Sequence, residues 1–204
     1  NIVTGKIPAS SGKIFFKGND ITNKPTHDLV KMGICRTFQI NSIFEDLSVF
    51  ENLRIAKQAK NGGSLRIFSS KQSLRTVTEE TWELLEHLGL KDLAIRPAKN
   101  LAYGDQRVLE VAIAMAGNPK ILFLDEPTAG MSPTETKHIS KLIKELSKKI
   151  CVVLVEHDMD MIMSISDKIT VLQYGSTIAE GTPEEIRNTQ QVREAYLGKE
   201  ESDP

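Results

Sequence analysis

The sequence predicts an α/β fold, with a mainly parallel sheet as its core and a helical subdomain inserted into it. Three observations carry this. Short apolar runs alternate with helical patterns through the second half of the chain. Two of those runs, "ILFLD" (121–125) and "CVVLV" (151–155), lead into polar residues, Asp125-Glu126 and Glu156-His157. From about residue 45 to 100 the pattern is helical and interrupts the alternation. With 204 residues, 40% of them hydrophobic, one sizeable core with an attached subdomain is within reach.

The elements follow in order. The chain opens at Asn1 rather than Met, and "NIVTG" reads as the tail of a helix already under way. "KIFFKGNDI" (13–21) predicts a hairpin with Gly18-Asn19 as its turn. "PTHDLVKMG" (25–33) predicts a short helix closed by Gly33. "LSVFENLRIAKQ" (47–58) is helical, and "KNGGS" (60–64) breaks the chain. In 71–90, Leu74, Val77, Leu84, Leu85 and Leu88 fall near one helical face. "LAYGDQRVLEVAIAMAG" (101–117) is a loop followed by a largely buried helix. The run 121–125 reads as a strand buried on both faces. Ser132 and Glu135 have capping-box spacing with Pro133 at the first helical position, so a helix fills 132–146. Strand 151–157, a helix capped by Asp158, a hairpin over 168–182 and a helix over 182–198, with Thr182 and Glu185 again in capping-box spacing, complete the chain.

Composition excludes several classes. Lys+Arg is 26 and Asp+Glu 27, so no strongly basic nucleic-acid surface is expected. The two cysteines, Cys35 and Cys151, form no CxxC pair and read as buried thiols in a reducing compartment. No apolar run approaches the roughly 18 residues of a spanning helix, and no signal peptide is recognisable.

In a parallel sheet, ligands gather beyond the carboxyl ends of the strands. Asp125, Glu126 and His157 lie at such ends, on two strands, so they can meet at one site. An apolar strand ending in two carboxylates suits a nucleotide hydrolase. One carboxylate serves a phosphate-bound Mg²⁺, which prefers oxygen ligands and keeps several waters. The other polarises the attacking water. Surface pairing or helix capping is the plain structural alternative. "LAYGDQ" (101–106) precedes a helix, so N–H groups near Gly104 can face an anion with the helix dipole behind them.

Taken in order, "RTFQ" (36–39), "LAYGDQ", "ILFLDEP" (121–127) and "VEH" (155–157) resemble the ATP-binding cassette (ABC) family over nearly the whole chain. The resemblance is nearest to the ATPase subunits of branched-chain amino acid importers, carried by "GICRTFQINSIFEDLSVFENL" (33–53), "LDEPTAGMSPTET" (124–136), "VLVEHDMDMI" (153–162) and "GTPEEIRNTQQVREAYLG" (181–198). It implies a P-loop NTPase, RecA-like core at 1–40 and 107–182, a helical subdomain at 41–106 and a helical tail at 183–204. It implies ATP and Mg²⁺ as ligands. Gln39 would reach the Mg²⁺ and sense the permease, and Asp125 would hold the metal. Glu126 would be the catalytic base and His157 the switch histidine at the γ-phosphate. Leu101, Ala102, Tyr103, Gly104, Asp105 and Gln106 would form or flank the signature loop, which meets ATP held by a second ATPase subunit. Residues 129–133 would be the D-loop at the seam. The implied partners are that second subunit, transmembrane permease subunits and, indirectly, a substrate-binding protein, with no nucleic acid. The implied place is the cytoplasmic face of the membrane.

Departures are informative. The usual signature reads LSGGQ; here Ala102, Tyr103 and Asp105 depart from it, and only Gly104 keeps the backbone contribution. Ser132 stands where the D-loop usually has aspartate. A phosphate loop requires G-x-x-x-x-G-K-[ST]. The candidate "SSGKI" (10–14) fails, with Ile7 at the first glycine and Ile14 at the Ser/Thr position. The expected explanation is N-terminal truncation by on the order of 40 residues, the size of a strand–loop–helix unit with an edge strand. The fragment alone would then bind ATP poorly. Other readings are a cassette ATPase of DNA repair or translation, a non-catalytic subunit, or the ATPase of a urea or lipopolysaccharide transporter.

Overall fold

The computed structural model describes residues 1–37, 43–60 and 71–197. The "KNGGS" break falls largely outside them, as does Gln39. A small hairpin opens the fold, β1 (Phe15–Phe16) against β2 (Asn19–Asp20). Its turn residues are Lys17 and Gly18, with φ of 50° and 78°, so the turn lies one residue earlier than expected. The left-handed pair matches the twist of the two strands. Helix α1 (Thr26–Met32) follows and ends at Gly33, whose φ of 93° closes it as expected.

Three parallel strands form the described core sheet: β3 (Ile34–Arg36), β4 (Ile121–Asp125) and β5 (Cys151–Val155), in the order β3-β4-β5. The register sets Arg36 opposite Phe123 and Asp125 opposite Val155. All three strands therefore deliver their carboxyl ends to one edge. On β4, Leu122 and Leu124 are buried, whereas Ile121 and Phe123 are only half-buried. Only one face of β4 is thus fully covered, not two.

Helix α2 (Val49–Lys60), α3 (Lys71–His87) and α4 (Tyr103–Ala116) pack against one another, and α4 also meets β3. Val49 and Leu53 of α2, Leu85 of α3, Val108 and Leu109 of α4 and Leu122 of β4 share one apolar cluster with Ile139 of helix α5 (Pro133–Ser147). Complete burial of each such side chain contributes about 1.5–3 kcal/mol. The buried stripe of α3 runs through Val77, Thr81 and Leu85. Leu74, expected on that stripe, is 42% exposed, because it lies in the turn before the stripe begins. Thr81 enters the core because its hydroxyl donates to the Val77 carbonyl at 2.7 Å.

Asn52 organises the segment entering α2. Its buried side chain accepts from Phe44 N–H at 2.7 Å and donates to the carbonyls of Phe44 and Ser48 at 3.0 Å. A buried amide is tolerated only when its hydrogen bonds are made. Val49 is core and Phe50 stacks obliquely on Trp82, centroids 4.9 Å apart, while Phe44 and Leu47 stay exposed.

Strand β5 contradicts the expected burial of Cys151. Among the described residues it is one of the two edge strands, and Cys151, Val153 and Val155 face outward, Val155 at 56% exposure. Cys151 is therefore an exposed free thiol, and only Cys35 is buried. Helix α6 (Met159–Ile165) is capped by Asp158, which accepts from Met161 N–H at 3.0 Å. Strands β6 (Ile169–Gln173) and β7 (Ser176–Gly181) make the expected hairpin. The expected helix over 182–198 is broken into α7 (Pro183–Arg187) and α8 (Gln190–Val192), the latter running into a π-helical turn at Arg193–Leu197. The break falls at Asn188-Thr189, and the Thr189 hydroxyl turns back to the Glu185 carbonyl at 2.8 Å.

Candidate active site

The carboxyl end of the sheet gathers the charged residues. Asp125 is the last residue of β4, and Glu126 follows it with φ 46°, a left-handed conformation costly for a residue with a side chain. Its N–H donates to the Val155 carbonyl at 2.8 Å, which holds that conformation against the neighbouring strand. The Glu126 side chain lies partly in solvent. His157 arrives from β5, its Nδ1 3.7 Å from Glu126 Oε1. Glu126 and His157 thus approach each other at the end of the sheet where β4 also delivers Asp125, whose side chain turns to Arg36.

Three further residues hold this site, Arg36, Glu156 and Glu135; each lies in a stretch with a sequence signal, but that signal gives none of them a role in the site. Arg36 is 8% exposed, and its Nη2 lies 2.5 Å from Asp125 Oδ2; Asp125 is 22% exposed. The guanidinium also contacts the Asn1 side chain. Glu156, at 1% exposure, is a buried carboxylate with three donors. The Thr128 N–H donates to it at 3.1 Å, His157 N–H donates at 3.0 Å, and the Thr128 hydroxyl is the third. Glu156 therefore ties the exit of β4 to the exit of β5 and sets where His157 begins. The third is Glu135, in the first turn of α5. Ser132 hydrogen bonds hold its carboxyl below the usual glutamate range, with a smaller contribution from Gly104 N–H.

Leu101–Gln106 joins a second group, the loop 129–132 with the first turn of α5. Leu101 is buried and anchors the loop in the core; Ala102 and Tyr103 are exposed. Gly104 N–H, the amide that the sequence offers to an anion, donates to Glu135 Oε1 at 3.1 Å. Tyr103 hydroxyl donates to the Ala129 carbonyl at 2.9 Å. Asp105 lies half-buried in the first turn of α4, and Gln106 Nε2 donates back to the Leu101 carbonyl at 3.3 Å. Ser11-Gly12-Lys13 lies in an exposed loop, consistent with its failure as a phosphate cradle.

A parallel sheet that sends two carboxylates and a histidine to its carboxyl end defines an α/β protein with a polar cluster where such sheets bind ligands. The comparisons narrow the class. The profile of the ABC transporter family matches residues 1–129, and the chain belongs to that family of ATP-binding proteins. A second profile, described as branched-chain amino acid ATP-binding cassette transporter, matches residues 176–202. The high-affinity branched-chain amino acid transport ATP-binding protein LivG of Escherichia coli is 41% identical, over 98% of this chain and 81% of its own length. The protein BraF of Pseudomonas aeruginosa, with the same description, is 39% identical over the same shares. Among solved structures, a nucleotide-free cassette from an ABC transporter superposes with TM-score 0.80 at 33% identity, over 98% of this chain and 82% of that one. A cassette in its ADP conformation gives 0.81 at 29% identity over the same shares. The fold is thus the ABC ATPase cassette, a P-loop NTPase core.

Proposed function

We propose that this chain is the ATP-hydrolysing subunit that powers import of branched-chain or related hydrophobic amino acids through a membrane permease. The observation that carries the proposal is the approach of His157 to Glu126 at the end of the sheet where Asp125 also lies, in a cassette whose relatives carry that transport in their names. Glu126 polarises the attacking water, a reading supported by its partly exposed carboxylate beside His157. His157 beside it meets the γ-phosphate. Leu101–Gln106 meets the phosphate of ATP held by a second cassette subunit, and 129–133 lies at the seam between the two.

Asp125 is the residue that would hold Mg²⁺, together with Gln39, which lies outside the described residues. Among those described, no cluster of three or more His, Cys, Asp or Glu side chains could cage a metal. A single carboxylate at a strand end suits Mg²⁺, which takes one or two carboxylates plus substrate phosphates and waters. When bound, the ion neutralises charge on the phosphates. Without it, Arg36 neutralises Asp125. The catalytic core is assigned to 1–40 and 107–182, the helical subdomain to 41–106 and the tail to 183–204, although α4 runs continuously across 106–107. No helix of the described residues is long and apolar enough to cross a membrane, which suits a peripheral subunit on the cytoplasmic face of a permease. The net charge of −1 favours no nucleic-acid partner.

The test is uptake of leucine, isoleucine and valine by source cells with the gene disrupted. Uptake falls, and is restored by the parent gene but not by a Glu126→Gln copy. In the native transport complex, Glu126→Gln keeps ATP binding and slows hydrolysis by roughly 10²–10⁴-fold, the contribution of a positioned base. Unchanged uptake on disruption would remove the cargo assignment, and near-normal turnover would remove Glu126 from its role.

A further inference from the structure

The segments 101–106 and 129–135 are far apart in sequence, yet two contacts join them. The first begins with a missing cap. Helix α4 starts at Tyr103, and Ala102 in the N-cap position has no side-chain oxygen to accept from the first turn. The N–H groups at a helix start need acceptors from elsewhere. Glu135 supplies one, its Oε1 accepting from Gly104 N–H at 3.1 Å. Its Oε2 accepts from Ser132 N–H at 2.9 Å and from the Ser132 hydroxyl at 2.6 Å. One carboxylate therefore caps two helices, α4 and its own α5. The approach is close. A β-carbon at Gly104 would lie 2.9 Å from Glu135 Oε1 and 3.1 Å from its Cγ, so any other residue there would push the carboxylate away.

The second contact is the Tyr103 hydroxyl on the Ala129 carbonyl. Arg107 fixes the tyrosine from behind: its Nη2 donates to the hydroxyl at 2.8 Å, and its guanidinium lies 5.2 Å from the ring centroid. Gly130 stays bare beside the same ring, which a β-carbon there would touch at 3.6 Å.

We propose that Glu135 is a positioning residue for the loop 101–106: it is the cap that Ala102 cannot be, and with the Tyr103 hydroxyl it locks that loop to 129–135 as one body. This rests on the reading that 101–106 meets the nucleotide of a second subunit. It gives the Ala102 and Tyr103 departures a shared purpose. A displacement of 129–135 at the seam moves 101–106 with it.

The test is hydrogen–deuterium exchange of the native protein without nucleotide, compared with Glu135→Ala and Glu135→Gln. Exchange at 103–106 rises about tenfold in Glu135→Ala, the factor that corresponds to one hydrogen bond to a charged group. Glutamine has one acceptor and one donor group, so Glu135→Gln protects only one of the two loops. If Glu135→Ala fails to fold, Glu135→Gln and Tyr103→Phe carry the same test. In the transport complex, Glu135→Ala raises the ATP concentration for half-maximal hydrolysis by about tenfold. A merely destabilised protein would lose rate at every ATP concentration without moving that midpoint. Unchanged exchange at 103–106 overturns the proposal directly. Raised exchange with an unmoved ATP midpoint means that the lock exists but serves no nucleotide contact; the reading of 101–106 then falls, and the positioning role with it.

Discussion

Arg36 stands opposite Phe123 in the sheet, yet its guanidinium reaches the carboxylate of Asp125, two residues further along β4. Removing one partner of a largely buried pair leaves the other charge without compensation. Arg36→Met is expected to lower stability by about 1–3 kcal/mol, less than for a fully buried pair because Asp125 retains some solvent. The urea midpoint at constant slope measures it. Adding Asp125→Asn should recover most of the loss, and a double mutant as unstable as Arg36→Met would show that the pairing is not the cause. Asp125, Glu126 and His157 were legible in the sequence because a strand-end position is visible in the apolar run before it. The pairing of Arg36 with Asp125, the bridging by Glu156 and the reach of Glu135 to Gly104 were not. Each needs a partner on another element, and no spacing along the chain records a pairing between β3 and β4 or between β5 and the exit of β4.

Helix starts are where elements declared themselves most clearly. Both capping boxes form as their spacing predicts, Ser132 with Glu135 and Thr182 with Glu185. Each signal lies within four residues, so local geometry is enough to complete it. In both, hydrogen bonds from the capping residue lower the glutamate's pKa, the side chain of Ser132 leading for Glu135 and the backbone of Thr182 for Glu185. A carboxyl whose pKa is lower folded than unfolded stabilises above its unfolded pKa, and that stabilisation is lost as pH falls through the folded value. Thr182→Ala should therefore cost about 0.5–2 kcal/mol near neutral pH. That cost should shrink as pH drops through the lowered glutamate pKa, as urea unfolding at a series of pH values will show. A pH-independent cost would mean that the hydroxyl acts alone. Burial was misread where it depends on what lies across from a residue. Leu74, Cys151 and the second face of β4 are apolar, and apolarity alone does not supply a neighbour.

Across the molecule, the apolar residues divide into distinct clusters. The largest runs without a break from α2 and α3 through α4 to β4 and α5, so the helical stretch and the sheet share one core. A separate cluster holds Ile169, Val171, Ile186 and Val192. Stability is distributed accordingly, since cooperative units follow shared burial. Ile186→Ala should cost about 2–4 kcal/mol, and native-state exchange should show that loss in 169–192 while amides of β4 keep their protection. Equal loss in β4 would make the protein a single cooperative unit. By itself, the sequence determined the fold class, the order of the elements, the helix starts and the strand-end carboxylates and histidine, because all of these follow from periodicity and short-range chemistry. Only the tertiary structure decided which apolar faces are covered, that Arg36 neutralises Asp125, that Glu156 joins two strand exits, and that Glu135 caps a helix other than its own. Those are contacts between residues distant along the chain, and they exist only once the sheet register and helix packing have brought the partners together.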